Sequence, residues 1–204
     1  MPTIEKLFPT QVYRAKIEGK SAGRLNTDLA TACRSVSRDD EAGQKWCRDN
    51  GYQGYTSYAS LNDLERRIPA FQDLLDALQS HVDAFAKALH FDIGRNVLKP
   101  DSLWINILKP GGVHTGHIHP HSVISGTYYV SVPKGSSSLK IEDPRLPGMM
   151  AAPTRKTAAP REMQPFVYIE PEPGSIILFE SWLRHEVPVN QAREDRMSVS
   201  FNYA

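Results

Sequence analysis

The chain has 204 residues, 40% of them apolar, with 24 Lys and Arg against 23 Asp and Glu. That length supports one substantial core, and a net charge near zero excludes the basic field that would hold a nucleic-acid backbone. The start, Met1 to Tyr13, lacks the basic region and apolar run of a signal peptide, and no stretch approaches the roughly 18 apolar residues of a membrane span, so the expectation is a cytoplasmic protein partnered with neither nucleic acid nor membrane.

After a short extended start around Ile4 to Val12, the first half reads as helical. Leu25, Leu29, Ala32 and Val36 recur at the spacing of one helix face. Cys33 and Cys47 have neither the number nor the spacing of a disulfide framework or zinc site, and are read as reduced structural thiols. Asp49 to Ser60 is rich in Gly, Tyr, Ser and Asn and reads as a loop, with Tyr52, Tyr55 and Tyr58 assigned to packing in preference to a substrate wall. A second helix is predicted from Pro69, which suits a first helical position, followed by the apolar stripe Phe71, Leu74, Leu75, Leu78, Val82, Phe85 and Leu89.

From Leu103 the hydrophobic period becomes two. Strands are predicted at Leu103–Leu108, Val123–Val132, Ser138–Glu142, Phe166–Ile169, Ser175–Phe179, His185–Val189 and Arg196–Tyr203. In the last of these, Arg196, Ser198, Ser200 and Asn202 share one face, while Met197, Val199, Phe201 and Tyr203 share the other. The strand at 123–132 alternates likewise, with Ser125, Thr127, Tyr129 and Ser131 opposed to Ile124, Tyr128, Val130 and Val132. If helices cover the apolar faces, the polar faces line an interior that holds something polar, which implies a ligand cavity. Lys134 to Pro165 interrupts the rhythm with Pro, Ala, Ser and Gly, and is a candidate lid or a surface excursion. The chain is read as one domain over 1–204, with a helical part at 1–100 and a β-core at 101–204.

Four of the seven histidines, His114, His117, His119 and His121, fall within eight residues that begin one residue past Pro110-Gly111-Gly112. Residues i and i+2 on a strand project to the same side about 6–7 Å apart, so His117 and His119 can converge on one ion, with a third ligand from another strand. His185 is the one later histidine. His114 and His121 are read as loop residues or as donors behind the ligands. Eleven residues past His185 comes Arg196, with Ser198 at i+2 facing the same polar interior. A buried guanidinium needs an anion, and no acidic residue lies on that strand face. A ligand carboxylate forked by Arg196 and bonded by Ser198 fits; a salt bridge to a loop carboxylate is the alternative.

The order His117-x-His119, Ser125-Gly126-Thr127-Tyr128-Tyr129-Val130, Pro173-Gly174 with Phe179, His185 with Val187-Pro188-Val189, and Arg196-x-Ser198 resembles the 2-oxoglutarate and Fe(II)-dependent oxygenases, most closely a family of bacterial proteins related to prolyl hydroxylases. The likeness extends to Leu7-Phe8-Pro9 and Asp143-Pro144-Arg145. It implies an α+β fold, a double-stranded β-helix (jelly roll, cupin-like) with N-terminal helices packed on one sheet. It further implies Fe(II) held by His117 and His185, with His119, read from the spacing above as the third ligand, at the position of the family's carboxylate; 2-oxoglutarate is implied as cosubstrate, with its distal carboxylate on Arg196 and Ser198 and Tyr129 adding a hydrogen bond. Molecular oxygen and a small-molecule or peptide substrate, hydroxylated, complete the partners it implies; a homodimer is expected only because that is the commonest oligomer. His119 departs from the family pattern, because most of these oxygenases place Asp or Glu there. Three-histidine iron sites are characteristic of cupin-type thiol dioxygenases, which use no 2-oxoglutarate, and the Arg-x-Ser pair argues against that assignment. A non-catalytic metal-binding cupin-like module is the other alternative.

Overall fold

The computed structural model describes residues 1–61, 63–145, 150 and 153–204. Four helices are described: α1 (Ala22–Asp39), α2 (Glu41–Asp49), α3 (Leu64–Arg67) and α4 (Pro69–Ala88). The strands are β1 (Val12–Lys16), β2 (Gly54–Thr56), β3 (Pro100–Leu108), β4 (His114–His117), β5 (Ile124–Ser131), β6 (Leu139–Glu142), β7 (Phe166–Ile169), β8 (Ser175–Glu180), β9 (His185–Val187) and β10 (Arg196–Tyr203).

They form a six-stranded sheet, β1-β8-β5-β10-β3-β2, and a four-stranded sheet, β4-β9-β6-β7. All the pairings are antiparallel. From β3 onward the chain passes from one sheet to the other and back, which is the winding of a double-stranded β-helix. The expected fold class is therefore the observed one. The first hundred residues are not purely helical, since β1 and β2 come from them and occupy the two edges of the larger sheet. The extended start falls at Val12–Lys16, later than the Ile4–Val12 expected from sequence. Among the described residues no helix is long and apolar enough to cross a membrane.

The alternation along β10 and β5 explains how the layers stack. Met197, Val199, Phe201 and Tyr203, with Ile124, Tyr128 and Val130, join one apolar cluster with Leu29, Val36, Phe71, Leu74, Leu78 and Val82 of α1 and α4. The helices thus cover the outer face of the larger sheet. Helix α4 begins with Pro69 at its first position, where the missing N–H costs nothing, and buries a stripe from Phe71 to Phe85. A second, smaller cluster of Tyr129, Leu139, Ile141, Ile169, Ile177, Phe179 and Leu183 lies on the opposite faces, between the two sheets. Leu89, predicted as the end of the α4 stripe, caps the helix and packs against the first cluster.

Helix α2 was not foreseen, because it buries only Gly43 and Cys47 and offers no apolar stripe to read. It starts from Asp40, whose carboxylate accepts the Gly43 N–H at 3.0 Å. The other carboxylate oxygen accepts the hydroxyls of Tyr55 (2.7 Å) and Ser60 (2.5 Å). The segment 49–60, expected to be a loop, holds the short strand β2 beside β3. Gly54 is required there: its φ is +147°, and a Cβ would lie 1.9 Å from the Ile107 carbonyl oxygen. Within 134–165 the structure holds β6 and a 3₁₀ turn at Arg161–Met163, while residues 146–149 and 151–152 of the expected lid lie outside the described residues.

Candidate metal centre

Three histidines meet at one end of the space between the sheets. His117 ends β4, His185 opens β9 directly opposite it, and one ring nitrogen from each of His117, His119 and His185 lies within 4.8 Å of the other two. The route is not the regular i, i+2 strand expected from sequence. His114 pairs with Val187 and His117 with His185, so between these pairs two residues of β4, Thr115 and Gly116, stand opposite the single Glu186 of β9. Such a bulge breaks the period of two, and His114 and His117 both turn inward, their rings stacked at 4.6 Å and 23°. His119 lies beyond the strand, anchored by its backbone N–H to the Ser181 carbonyl at 2.9 Å. Its ring runs nearly parallel to that of His117, 5.1 Å away.

Hydrogen bonds fix the tautomers. Nδ1–H of His117 donates to the Thr115 carbonyl (2.7 Å), that of His185 to the Leu183 carbonyl (2.8 Å) and that of His119 to Oδ1 of Asn202 (2.6 Å). With Nδ1 engaged on every ring, the lone pair left free is on Nε2, the arrangement found behind metal-bound imidazoles. Asn202 is itself held, accepting from Ser125 Oγ at 2.7 Å and donating to Ser102 Oγ at 2.9 Å. Burial pushes the imidazoles toward the neutral form that ligates. Desolvation lowers His185 to about 3, with His117 adding to it, and lowers His117 and His119 below the ordinary histidine range.

Deeper between the sheets lies a second group of polar atoms. Arg196 is 3% exposed, and no acidic group among the described residues stands within salt-bridge reach of it. The salt-bridge alternative therefore does not hold. Its Nη1 donates to Ser198 Oγ at 3.4 Å, its guanidinium lies 5.0 Å from the Tyr129 ring centre, and Nε has no partner among the described residues. The hydroxyls of Tyr129 and Tyr52 and the Oδ1 of Asn106 are also buried without partners among the described residues. So many unsatisfied polar atoms in one place are costly unless a polar ligand meets them. They line, with the three histidines, an inner cavity of about 30 Å³. An outer cleft of about 460 Å³ shares Tyr52, Trp104, His114, His117 and His119 as walls.

Every predicted site residue lies on these walls: His117, His119, His185, Tyr129, Arg196 and Ser198 all line the inner cavity. His121 does not, being an exposed turn residue with φ +70°. Sequence reasoning missed the bond from Asn202 to His119, the stacked His114, and Tyr52. Of the three tyrosines assigned to packing, Tyr55 is buried in the core, whereas Tyr52 walls both cavities and Tyr58, 63% exposed, stands at the mouth of the outer one. Nothing in the composition of 49–60 separates these roles.

Residues 102–202 match the family described as "Putative 2OG-Fe(II) oxygenase". No curated protein matches the chain. Among solved structures, the epimerase SnoN, in complex with Fe3+, alpha-ketoglutarate and nogalamycin RO, is similar with a TM-score of 0.65 at 14% identity, over 96% of this chain and 79% of that one. HygX from Streptomyces hygroscopicus, with nickel and 2-oxoglutarate bound, gives 0.59 at 12% identity, over 96% and 82%. A Pseudomonas putida prolyl-4-hydroxylase gives 0.56 at 15% identity, over 95% and 88%. Likeness at these identities shows the double-stranded β-helix and no more. The family match runs from within β3 to within β10 and takes in the whole histidine cluster. The chain belongs to the 2OG-Fe(II) oxygenases, oxidoreductases that use Fe(II), 2-oxoglutarate and molecular oxygen.

Proposed function

We propose that His117, His119 and His185 bind the Fe(II), that Arg196, Ser198 and Tyr129 receive the distal carboxylate of 2-oxoglutarate, and that a substrate held in the outer cleft is hydroxylated. The observation that carries the first assignment is the convergence of three neutral imidazoles whose Nδ1–H groups are all engaged. For the second it is a buried guanidinium with no acidic partner, on the wall of the cavity that the imidazoles also line. A carboxylate suits that guanidinium because two oxygens match its fork, and the unpartnered Tyr129 hydroxyl adds a third donor.

When bound, Fe(II) and 2-oxoglutarate supply the oxygen-activating chemistry. The residues contribute position and environment. Asn202 holds His119 in one tautomer, and the carbonyls of Thr115 and Leu183 do the same for His117 and His185. Arg196 fixes the far end of the cosubstrate, while Thr127, Ser200 and Asn106 line the space between; Thr127 and Asn106 are both bonded to Ser200 Oγ, at 3.2 and 3.1 Å. The rings of Phe179 and Trp104 pack on the histidines, 4.5 Å from His185 and 5.5 Å from His119, and limit water at the metal.

Anaerobic titration of the Fe(II)-loaded protein with 2-oxoglutarate tests the assignment through the visible metal-to-ligand charge-transfer band. The band forms in the wild type and is lost in Arg196→Ala at the same concentration. A wild type that binds iron but gives no band overturns the cosubstrate assignment.

A further inference from the structure

The outer cleft adjoins the histidines and has a single chemical character. Its volume, about 460 Å³, is that of a small-ligand site. Trp46, Tyr52, Tyr58 and Trp104 face it, and none of its lining residues is Asp, Glu, Lys or Arg. Tyr58 meets Trp104 edge-on at 5.3 Å, Trp104 meets His119 at 5.5 Å, and His119 stacks on His117. A row of rings therefore runs from the mouth to the metal ligands.

Three of the polar side chains along the wall already have partners within the protein. Asn202 is used by His119, Ser125 and Ser102, Asn50 Nδ2 donates to the Trp46 carbonyl, and Thr56 Oγ1 accepts the Tyr58 N–H. At the rim, Val113 and Ile118 leave their side chains exposed. A wall of this composition rewards buried apolar area and flat rings, and leaves an ionic group without a partner.

Charge narrows the class further, in an argument that rests on the proposed function. Three neutral imidazoles around Fe(II), together with Arg196 and a dianionic cosubstrate, leave one net positive charge where a carboxylate-bearing triad would leave none. That excess repels a cation. An anion is drawn by the same excess, yet it finds no Lys or Arg on the cleft wall to pair with and gives up its hydration to enter a wall of rings. We infer that the substrate is an uncharged small molecule that presents a flat apolar ring system to the Tyr58–Trp104 row, with Trp46 and Tyr58 setting its specificity.

The test compares three molecules of one shape: 2-naphthalenemethanol, its ammonium analogue 2-naphthylmethylamine, and 2-naphthoate. Binding is read by equilibrium dialysis, using naphthalene fluorescence, on protein held anaerobically with Fe(II) and 2-oxoglutarate, and the charge-transfer band is recorded in the same samples. The alcohol binds at least about tenfold tighter than either ion. Trp46→Ala and Tyr58→Ala each weaken it by about fivefold while the band persists. Equal or tighter binding of the amine or the naphthoate, no binding of any of the three, or undiminished alcohol binding in both variants overturns the inference. A missing band with the preference for the alcohol intact overturns the cosubstrate assignment and leaves the neutral-ring substrate standing.

Discussion

Replacing Arg196 by Met separates a structural arginine from a ligand-binding one by the sign of two effects. In the ligand-free protein the guanidinium is 3% exposed, faces no carboxylate, and has only a 3.4 Å bond to Ser198 and the face of Tyr129 to offset the loss of water. Unpaired buried charge is destabilising, and exchange even of paired buried charges for apolar side chains of similar volume is often neutral or stabilising by about 1–4 kcal/mol. Allowing for the lost contact with Tyr129, a gain of about 1–2 kcal/mol is expected for Arg196→Met. For a chain of this length that raises Tm by roughly 2–8 °C. With 2-oxoglutarate the effect reverses. Removing one partner of a buried, hydrogen-bonded charge pair costs about 2–5 kcal/mol, which is a loss of affinity of roughly 30-fold to several thousand-fold. Thermal unfolding with and without saturating 2-oxoglutarate, together with the anaerobic titration, measures both quantities on one sample. A variant that is less stable than wild type yet binds 2-oxoglutarate normally would refute the reasoning, because the arginine would then be serving the fold.

Further predictions concern the support of the site. Asn202→Ala leaves all three imidazoles in place but frees His119 to rotate and change tautomer; metal affinity, measured by competition with a chelator, is expected to fall about 10- to 100-fold, and unchanged affinity would show that the bond at 2.6 Å has no part in ligation. The Asp40 carboxyl is raised by burial, but the hydrogen bonds from Ser60, the Gly43 N–H and Tyr55 outweigh that and hold it below the ordinary carboxylate range. A depressed folded value means that its stabilisation is present above the unfolded pKa of about 3.9 and is lost as pH falls through the folded value. Denaturant unfolding followed from pH 7 down to pH 3 is therefore expected to show an acid-side loss in wild type that is smaller in Asp40→Asn, and parallel curves would count against the assignment. Gly54→Ala forces a side chain onto a φ of +147° and against the Ile107 carbonyl, so a loss of about 2 kcal/mol or more is expected in chemical denaturation. A variant as stable as wild type would mean that β2 can leave the sheet edge without cost.

The parts of this fold legible in sequence are those where two faces differ in composition. Strand β10 announces itself because Arg196, Ser198, Ser200 and Asn202 alternate with Met197, Val199, Phe201 and Tyr203, and the structure sends the first set between the sheets and the second under the helices. Helices α1 and α4 are legible for the same reason at a period of 3.6. Strands β2 and β4 were missed because three or four residues cannot display a period, and β4 breaks what period it has with a bulge. That bulge is why the histidines converge by another route than simple alternation allows. The hydrogen bond that orients His119 joins residues 83 apart, a relation that local sequence does not carry.

Strand β10 also couples stability to chemistry through its register. Asn202 behind His119 and Arg196 at the far end of the inner cavity lie on the same strand as Phe201 and Tyr203, both fully buried under α4 and α1. Because successive side chains point to opposite faces, a slip of one residue would send the arginine and asparagine into the helical core and the aromatics into the cavity. No local change can relieve that exchange, since β10 is bonded along its length to β3 on one side and β5 on the other. The apolar face therefore sets the spacing between the metal end and the carboxylate end of the site. Its rigidity gives the distance between His119 and Arg196 a fixed value for a cosubstrate to span, which a pair of flexible loops would not provide.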